Sequence, residues 1–206
     1  MWDERNFKAV SIPNAPERRM GHPIVKAPVI LSRTDYRRWA EAQPRGRFER
    51  VAGAVVAMAP KRIAHVRVKA RAWQALERAI RAAGLPCEAL ADGITIEVGD
   101  DTDYEPNVVV TCGKSMADDD VAAANPVIVV EVLSPFMPSV GTGAKLDDYF
   151  KVPSIRHYLI IRADRRAVIH HRRRGDGGIE TRLAAEGWIA LDPPGIEIAV
   201  ENLYAW

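Results

Sequence analysis

The longest regular pattern of apolar and polar positions lies between residues 61 and 83. Apolar side chains recur there at steps of three and four residues, which places them along one stripe of an α-helix. Gly84 and Pro86 follow and are typical of the end of a helix. The sequence therefore predicts one long helix, whose core-facing stripe contains Ile63, Val66, Ala70, Trp73, Leu76 and Ile80.

A period of two replaces the helical period in the second half of the chain. The alternation at 94–98 and the β-branched run at 108–111 each predict a strand. Residues 127–133 form an almost continuous apolar run, which indicates a central strand covered on both faces. The remaining segments predict strands at 156–161, 167–171 and 196–200, and a short helix at 143–151.

Shorter elements are predicted before the long helix. Ser32 opens a segment that suits a short helix, since serine is a favourable N-cap residue. A hairpin is expected at 48–58, with its turn at 52–53. Residues 1–30 contain four prolines and no sustained period, so we expect an extended arm over the domain or over a partner subunit. Residues 31–206 are predicted to form a single domain.

The composition of the 206-residue chain is that of an ordinary globular protein, with 48% hydrophobic and 27% charged residues. These fractions exclude a disordered or collagen-like chain. The 29 basic and 27 acidic residues leave a formal net charge of +2, which does not by itself favour a polyanion as partner. No apolar run approaches the roughly 20 residues of a membrane span. The charged N-terminal segment is unlike a signal peptide, so we expect a cytoplasmic protein.

The two cysteines, Cys87 and Cys112, are too far apart in sequence for a CxxC metal or redox motif. The sequence does not exclude a disulfide between them. In a cytoplasmic protein, however, two reduced and largely buried thiols are the expected state.

One carboxylate, Glu131, interrupts the apolar run at 127–133. Such a charge is costly inside a buried strand unless it is paired or binds a metal ion. Three roles therefore stay open for Glu131. It is a metal ligand, a salt-bridge partner of a lysine or arginine, or an end-of-strand residue that reaches water.

Two further polar residues are candidates for the same place. Antiparallel pairing of the strands at 108–111 and 127–133 would bring Asn107 towards Glu131. Lys145 lies in the short helix that follows and can return over the end of the strand, with Tyr149 on the same helix face. The alternatives are a turn-exit role for Asn107 after proline and a solvent-exposed Lys145.

An ordered set of motifs resembles the Uma family of putative restriction endonucleases, within the PD-(D/E)xK nuclease superfamily. The resemblance spans about residues 30–200. Its motifs are Glu131-Val-Leu-Ser-Pro135, Lys145-Leu-Asp-Asp-Tyr149, the segment 152–161, and upstream Glu49-Arg-Val-Ala-Gly53, Met58-Ala-Pro60 and Glu105-Pro-Asn-Val-Val-Val110.

The resemblance implies a restriction-endonuclease-like α/β core, with a mixed β-sheet flanked by helices, and hydrolysis of DNA phosphodiester bonds with one or two Mg²⁺ or Mn²⁺ ions. By motif match, Glu131 and Asn107 are metal ligands, Lys145 is the displaced catalytic lysine, and Glu49 is an auxiliary acid. Carboxylates are ligands that Mg²⁺ prefers, and a lysine complements the negative transition state. A homodimer is also implied.

Two positions depart from the family pattern, because Asn107 and Gly141 replace aspartates. Each change removes a negative charge from the predicted site. One unit-charge interaction at ~4 Å, with an effective dielectric constant of ~20, is roughly 4 kcal/mol, so metal affinity is expected to fall. Glu105, two residues before Asn107, is a candidate compensating acid, and Asp103 is a second one.

Three classes of function follow from these residues. The leading hypothesis is a metal-dependent endonuclease of reduced activity. The second is a nuclease fold without metal that binds nucleic acid or protein. The third is an assembly protein whose N-terminal arm is exchanged between subunits.

Basic side chains cover the outer faces of the long helix. Arg67, Lys69 and Arg71 are candidates for contacts with DNA phosphates, although a solvated helix face routinely carries such charges. The adjacent His170 and His171 are predicted to point to opposite faces of a strand. They therefore suit a surface hairpin better than a metal site.

Overall fold

The computed structural model describes residues 30–134 and 142–205. Most of the predicted N-terminal arm and Gly141 lie outside the described residues. The helices are α1 (Arg33–Glu41), α2 (Ile63–Ala83) and α3 (Thr142–Lys151), with a 3-10 helix at Val200–Leu203. The strands are β1 (Phe48–Val51), β2 (Ala54–Ala57), β3 (Cys87–Ala91), β4 (Ile96–Val98), β5 (Thr102–Tyr104), β6 (Val108–Cys112), β7 (Pro126–Leu133), β8 (His157–Arg162), β9 (Val168–Arg173), β10 (Ile179–Ala184), β11 (Trp188–Leu191) and β12 (Ile196–Ala199).

The helices and strands form an α/β architecture with a mixed β-sheet, as the sequence predicts. A six-stranded sheet has the order β10-β9-β8-β7-β6-β3, and only β7 and β8 are parallel within it. A four-stranded sheet has the order β2-β1-β5-β4, and β11 pairs with β12. Within the described residues, none of the helices combines the length and apolar character that crossing a membrane requires.

Strand β7 lies at the centre of the larger sheet and is buried along almost its whole length. Ile128, Val130 and Val132 pack in the core that includes α2. Val129 faces the other way, into the core that includes Tyr149 and Phe150 of α3. Both faces are thus covered, which explains the continuous apolar run and confirms the predicted central strand.

Helix α2 is confirmed, but its predicted core face is wrong over its N-terminal half. Ile63 and Val66 are 67% and 43% exposed and Ala70 is exposed as well, whereas His65 is buried. The predicted stripe contains only apolar residues and so omits the polar His65, although residues at three- and four-residue steps from it also share one face. The buried residues of α2 are His65, Val68, Ala72, Ala75, Leu76 and Ile80.

The short early elements are also confirmed. The Ser32 side chain accepts a hydrogen bond from the N–H of Asp35 and caps α1. The hairpin β1–β2 turns through Ala52 and Gly53, both with positive φ. The sequence does not predict the strands β3, β5, β10 and β11, because these segments are short or carry polar side chains on their exposed faces.

The prediction of two reduced thiols is wrong, because Cys87 and Cys112 form a disulfide. The antiparallel register of β3 and β6 places the two residues directly opposite each other, with Cα atoms 4.0 Å apart. Their separation of 25 residues contains no signal of this pairing. The strand register determines it.

The adjacent histidines point to opposite faces, as predicted, but the expected surface position is wrong. His170 and His171 are both 7% exposed. His170 Nε2 lies 2.9 Å from His157 Nδ1, whereas His171 Nδ1 lies 2.8 Å from Thr181 Oγ1. Burial lowers the pKa of His157 and His170 to about 4, so the pair is neutral at neutral pH.

The observed register of α2 predicts different costs for two isoleucines of the same helix. Ile80→Ala should lower the free energy of unfolding by about 2–5 kcal/mol, because Ile80 is only 2% exposed and its truncation leaves a cavity in the core. Ile63→Ala, at a position that is 67% exposed, should cost less than about 1 kcal/mol. Urea unfolding measures both, and equal losses would contradict the register.

Candidate functional site

A buried carboxylate lies near the end of the central strand. Glu131 is only 9% exposed and, like Val129, faces α3. Its Oε1 accepts hydrogen bonds from Lys145 Nζ at 2.8 Å and from Tyr149 Oη at 2.9 Å. The carboxylate is therefore paired, as a buried charge requires.

Lys145 connects two carboxylates. It lies in the first turn of α3, and its Nζ is 2.8 Å from Oε1 of Glu131 and 2.8 Å from Oε1 of Glu49. The ammonium group also lies 4.6 Å from the centre of the Tyr104 ring. Burial opposes the charged form of Lys145, but the two carboxylates together raise its pKa. The lysine is thus fully protonated at neutral pH.

The second carboxylate, Glu49, comes from β1 and is 7% exposed. Its Oε1 also accepts a hydrogen bond of 3.2 Å from the N–H of Glu105. Burial raises the pKa of Glu49, an effect that Lys145 opposes and Glu131 reinforces. Three elements that are distant in sequence, β1, β7 and α3, therefore meet at one ammonium group.

Tyrosines surround this Glu49–Lys145–Glu131 cluster. Tyr149 shares the helix face of Lys145, as predicted, and burial raises the pKa of its hydroxyl well above the ordinary value. Tyr104 donates a hydrogen bond of 2.6 Å to Asp148 of α3. The Tyr149 ring lies 5.4 Å from that of Tyr104 and 5.0 Å from that of Tyr158, so aromatic packing fixes the position of α3.

Asn107 lies beside the cluster, on the neighbouring strand. β6 and β7 are antiparallel, and Val108 pairs with Val130, so Asn107 comes next to Glu131 as the sequence predicts. The Asn107 side chain is 3% exposed, and its Oδ1 accepts a hydrogen bond of 2.7 Å from the N–H of Val132. The amide oxygen is thus bound to the backbone of β7.

Neither candidate compensating acid points at the cluster. The Glu105 carboxylate accepts hydrogen bonds from Arg47, at 2.7 Å from Nη2 and 3.1 Å from Nε. Asp103 pairs with Arg50, with 2.5 Å between Oδ2 and Nε, and with Arg33, with 2.6 Å between Oδ1 and Nε. Both carboxylates are therefore neutralised by arginines.

The predicted DNA-binding residues of α2 differ in what they contact. The Lys69 ammonium pairs with the Asp92 carboxylate, which Arg47 also contacts at 3.1 Å. Arg71 Nη1 donates a hydrogen bond of 3.0 Å to Gln74 Oε1, and Arg67 is exposed. Lys69 is thus paired with an acid of the same chain, so α2 presents fewer basic side chains for contact with DNA than its sequence indicates.

His65 is a residue near the site that sequence reasoning missed. It is 1% exposed, and neither ring nitrogen has a hydrogen-bond partner among the described residues. Burial and the nearby Lys61 and Lys69 lower its pKa to about 4. Its spacing of three from Val68 was the available signal, since that step places both side chains on the core-facing side of α2.

In the part of the chain that the structure describes, Glu49 and Glu131 are the two carboxylates that meet at Lys145 and are the candidate ligands of a metal ion. Within residues 30–134 and 142–205, no group of three or more histidine, cysteine, aspartate or glutamate residues is arranged to hold a metal ion. In the same part of the chain, the hydrogen bonds to Glu49 and Glu131 all go to one oxygen, Oε1, of each carboxylate.

Comparison with known proteins identifies the family of the chain and a similar fold. A family model described as Uma2, putative restriction endonuclease, matches residues 33–201. The fold is similar to that of a solved putative nuclease belonging to DUF820 from Anabaena variabilis, with a TM-score of 0.64 and 13% sequence identity, over 78% of this chain and 91% of that one. No curated protein matches the chain. The match over residues 33–201 shows that the chain belongs to the Uma2 family of putative restriction endonucleases.

Proposed function

We propose that this protein is a metal-dependent endonuclease that hydrolyses DNA phosphodiester bonds at the Glu49–Lys145–Glu131 cluster. One observation carries the proposal: a lysine and two buried carboxylates meet within hydrogen-bond distance at the end of the central strand. Acid and lysine side chains of this kind suit metal-assisted phosphodiester hydrolysis, and the family assignment supports the same reaction class.

The two carboxylates fit a divalent cation of the Mg²⁺ type. Mg²⁺ in enzymes is usually held by one or two carboxylates, while water and substrate phosphate complete its shell. Glu49 and Glu131 would hold the ion, with Asn107 as a neutral neighbour. A bound cation supplies polarisation of the phosphoryl oxygen and a more acidic water.

Each residue of the cluster has a definite part in this proposal. Lys145 carries a positive charge that complements the charge developing on the scissile phosphate. Glu131 and Glu49 keep that lysine protonated and fix its ammonium group between them. Tyr149 holds Glu131 in place through its hydroxyl. Arg67 and Arg71, on the outer side of α2, would contact DNA phosphates farther from the reaction.

A second candidate function is supported by the surroundings of Asn107. The amide brings no charge, and its oxygen already accepts a hydrogen bond from Val132. With only two carboxylates, each bound to Lys145, the cluster is also a self-contained ion-pair network. The second candidate function is therefore a metal-free nuclease fold that binds nucleic acid or protein, in which the cluster has only a structural role.

The proposed activity predicts that Glu131→Gln abolishes cleavage. The substitution keeps the shape of the side chain but removes the charge, so Mn²⁺-dependent nicking of plasmid DNA should fall by at least about a hundredfold. Glu88→Gln, on the edge strand β3, should leave cleavage unchanged. Calorimetric titration with Mn²⁺ should show heat that depends on Glu131. If the folded wild-type protein leaves the plasmid intact and shows no such heat, the metal-free fold that binds nucleic acid or protein is favoured.

Restoring the missing acid should strengthen the site. In Asn107→Asp, one carboxylate oxygen can keep the hydrogen bond from Val132 while the other brings a negative charge beside Glu131. We expect metal affinity to rise roughly tenfold, with a parallel gain in cleavage. Asn125→Asp, in the loop before β7, is the matched control. If Asn107→Asp changes neither quantity, residue 107 does not belong to the metal site.

Removing the central ammonium should make stability depend on pH in a defined direction. In Lys145→Met two buried carboxylates lose their counter-charge, and the pKa of Glu49, already raised by burial, rises further. A carboxyl group with a raised folded-state pKa stabilises the fold below its unfolded pKa and loses this contribution as pH rises. The deficit should therefore grow from acidic to neutral pH, reaching about 3 kcal/mol.

Urea unfolding over the range from acidic to neutral pH measures this deficit. Lys114→Met, at an exposed position just after β6, is the control and should show no growing deficit. If the stability deficit of Lys145→Met is the same at every pH, the lysine does not stabilise the ionised form of the two carboxylates.

A further inference from the structure

The outer edge of the six-stranded sheet is an exposed strand with apolar side chains. In the described residues, β10 pairs with β9 on one side and has no strand on the other. Leu183 is 74% exposed and Ile179 is 42% exposed. Unpaired edge strands are templates for pairing with another chain, and natural proteins usually protect them.

The backbone groups that β10 directs outwards can be identified from its neighbours. The N–H of Arg174 donates to the carbonyl of Gly178 at 2.8 Å, whereas the N–H of Arg173 donates to Arg156 on the other side of β9. Because backbone groups alternate between the two sides of a strand, the even-numbered residues of β10 bond to β9. The N–H and C=O groups of Ile179, Thr181 and Leu183 therefore point away from the sheet.

We propose that β10 pairs with β10 of a second copy of this chain, antiparallel and centred on Thr181. In this register Ile179 lies opposite the partner's Leu183, and Glu180 lies opposite the partner's Arg182. The two-fold axis repeats both contacts, so each pairing occurs twice. The sequence Ile179-Glu-Thr-Arg-Leu183 is thus complementary to itself in both apolar contact and charge.

The two faces of the strand keep these contacts apart. Thr181 contacts His171, so the odd-numbered side chains lie on that face, and Glu180 and Arg182 lie on the other. Glu180 now contacts Arg182 of its own strand at 2.7 Å and Arg172 of β9 at 3.4 Å, and the Arg182 side chain is 73% exposed. An exposed contact of this kind contributes little to stability, so Arg182 can exchange partners at little cost while Glu180 keeps its contact with Arg172.

The opposite edge of the sheet does not share this property. In β3, pairing centred on Ala89 would place Glu88 opposite Leu90 of the second copy, which satisfies neither side chain. In this register β3 therefore lacks the complementarity that β10 has. The dimer would form whether or not the Glu49–Lys145–Glu131 cluster hydrolyses DNA, since β10 is separated from β7 by two strands.

Charge reversal tests the interface. Sedimentation equilibrium of the full chain should show a dimer whose dissociation constant rises at least about tenfold in Glu180→Arg and in Arg182→Glu, because like charges then face each other twice. The double variant Glu180→Arg/Arg182→Glu should recover most of the wild-type affinity. Glu41→Arg, at an exposed position of α1, should leave the dimer unchanged.

A second variant separates loss of pairing from loss of folding. Leu183→Lys changes a side chain that is already 74% exposed, so it should leave thermal unfolding of the monomer unchanged while weakening the dimer at least about tenfold. A wild-type protein that is monomeric at every concentration would overturn the proposal. A dimer that ignores all three substitutions, or a double variant that recovers no affinity, would overturn the interface or its register.

Discussion

The Lys145 ammonium is the charge on which the candidate site depends. Two carboxylates buried near the end of the central strand would each be costly alone, and one cation between them offsets both. Glu49 lies 96 residues away in sequence and Glu131 only 14, so the contact joins the smaller sheet, the larger sheet and α3 at a single point. Core packing among Tyr104, Tyr149 and Tyr158 fixes the position of α3 over the strand end. The site requires this position, because it brings Lys145 between the two carboxylates.

The same charge balance sets what the cluster can bind. One ammonium against two ionised carboxylates leaves the cluster with a net negative charge, which favours a cation. A third carboxylate would add to this negative charge. Asn107 lies at the corresponding position without a charge, and its oxygen is bound by the backbone of β7. In the proposed endonuclease, the metal ion would therefore be held by two charged ligands instead of three.

Much of this arrangement could be predicted from sequence, because it follows from local periodicity and strand alternation. The continuous apolar run indicated β7, antiparallel pairing placed Asn107 beside Glu131, and a spacing of four placed Tyr149 with Lys145. The contacts that could not be predicted depend on register between distant segments. The Cys87–Cys112 disulfide, the arginine partners of Asp103 and Glu105, and the exact face of α2 are of this kind. His65 shows the limit most directly, since a polar residue in a core position contradicts the pattern that defines the core.

Strand β3 is held at both of its ends by different chemistry. At its beginning, Cys87 is covalently joined to Cys112 of β6. Directly after its end, Asp92 accepts contacts from Lys69 and Arg47, and its N–H donates to the carbonyl of Asn107. Fraying of an edge strand normally starts from one of its ends, and both ends of β3 are anchored by these contacts. The segment that leads into residue 107 thereby gains a rigid border, even though it lies next to the outermost strand of the sheet.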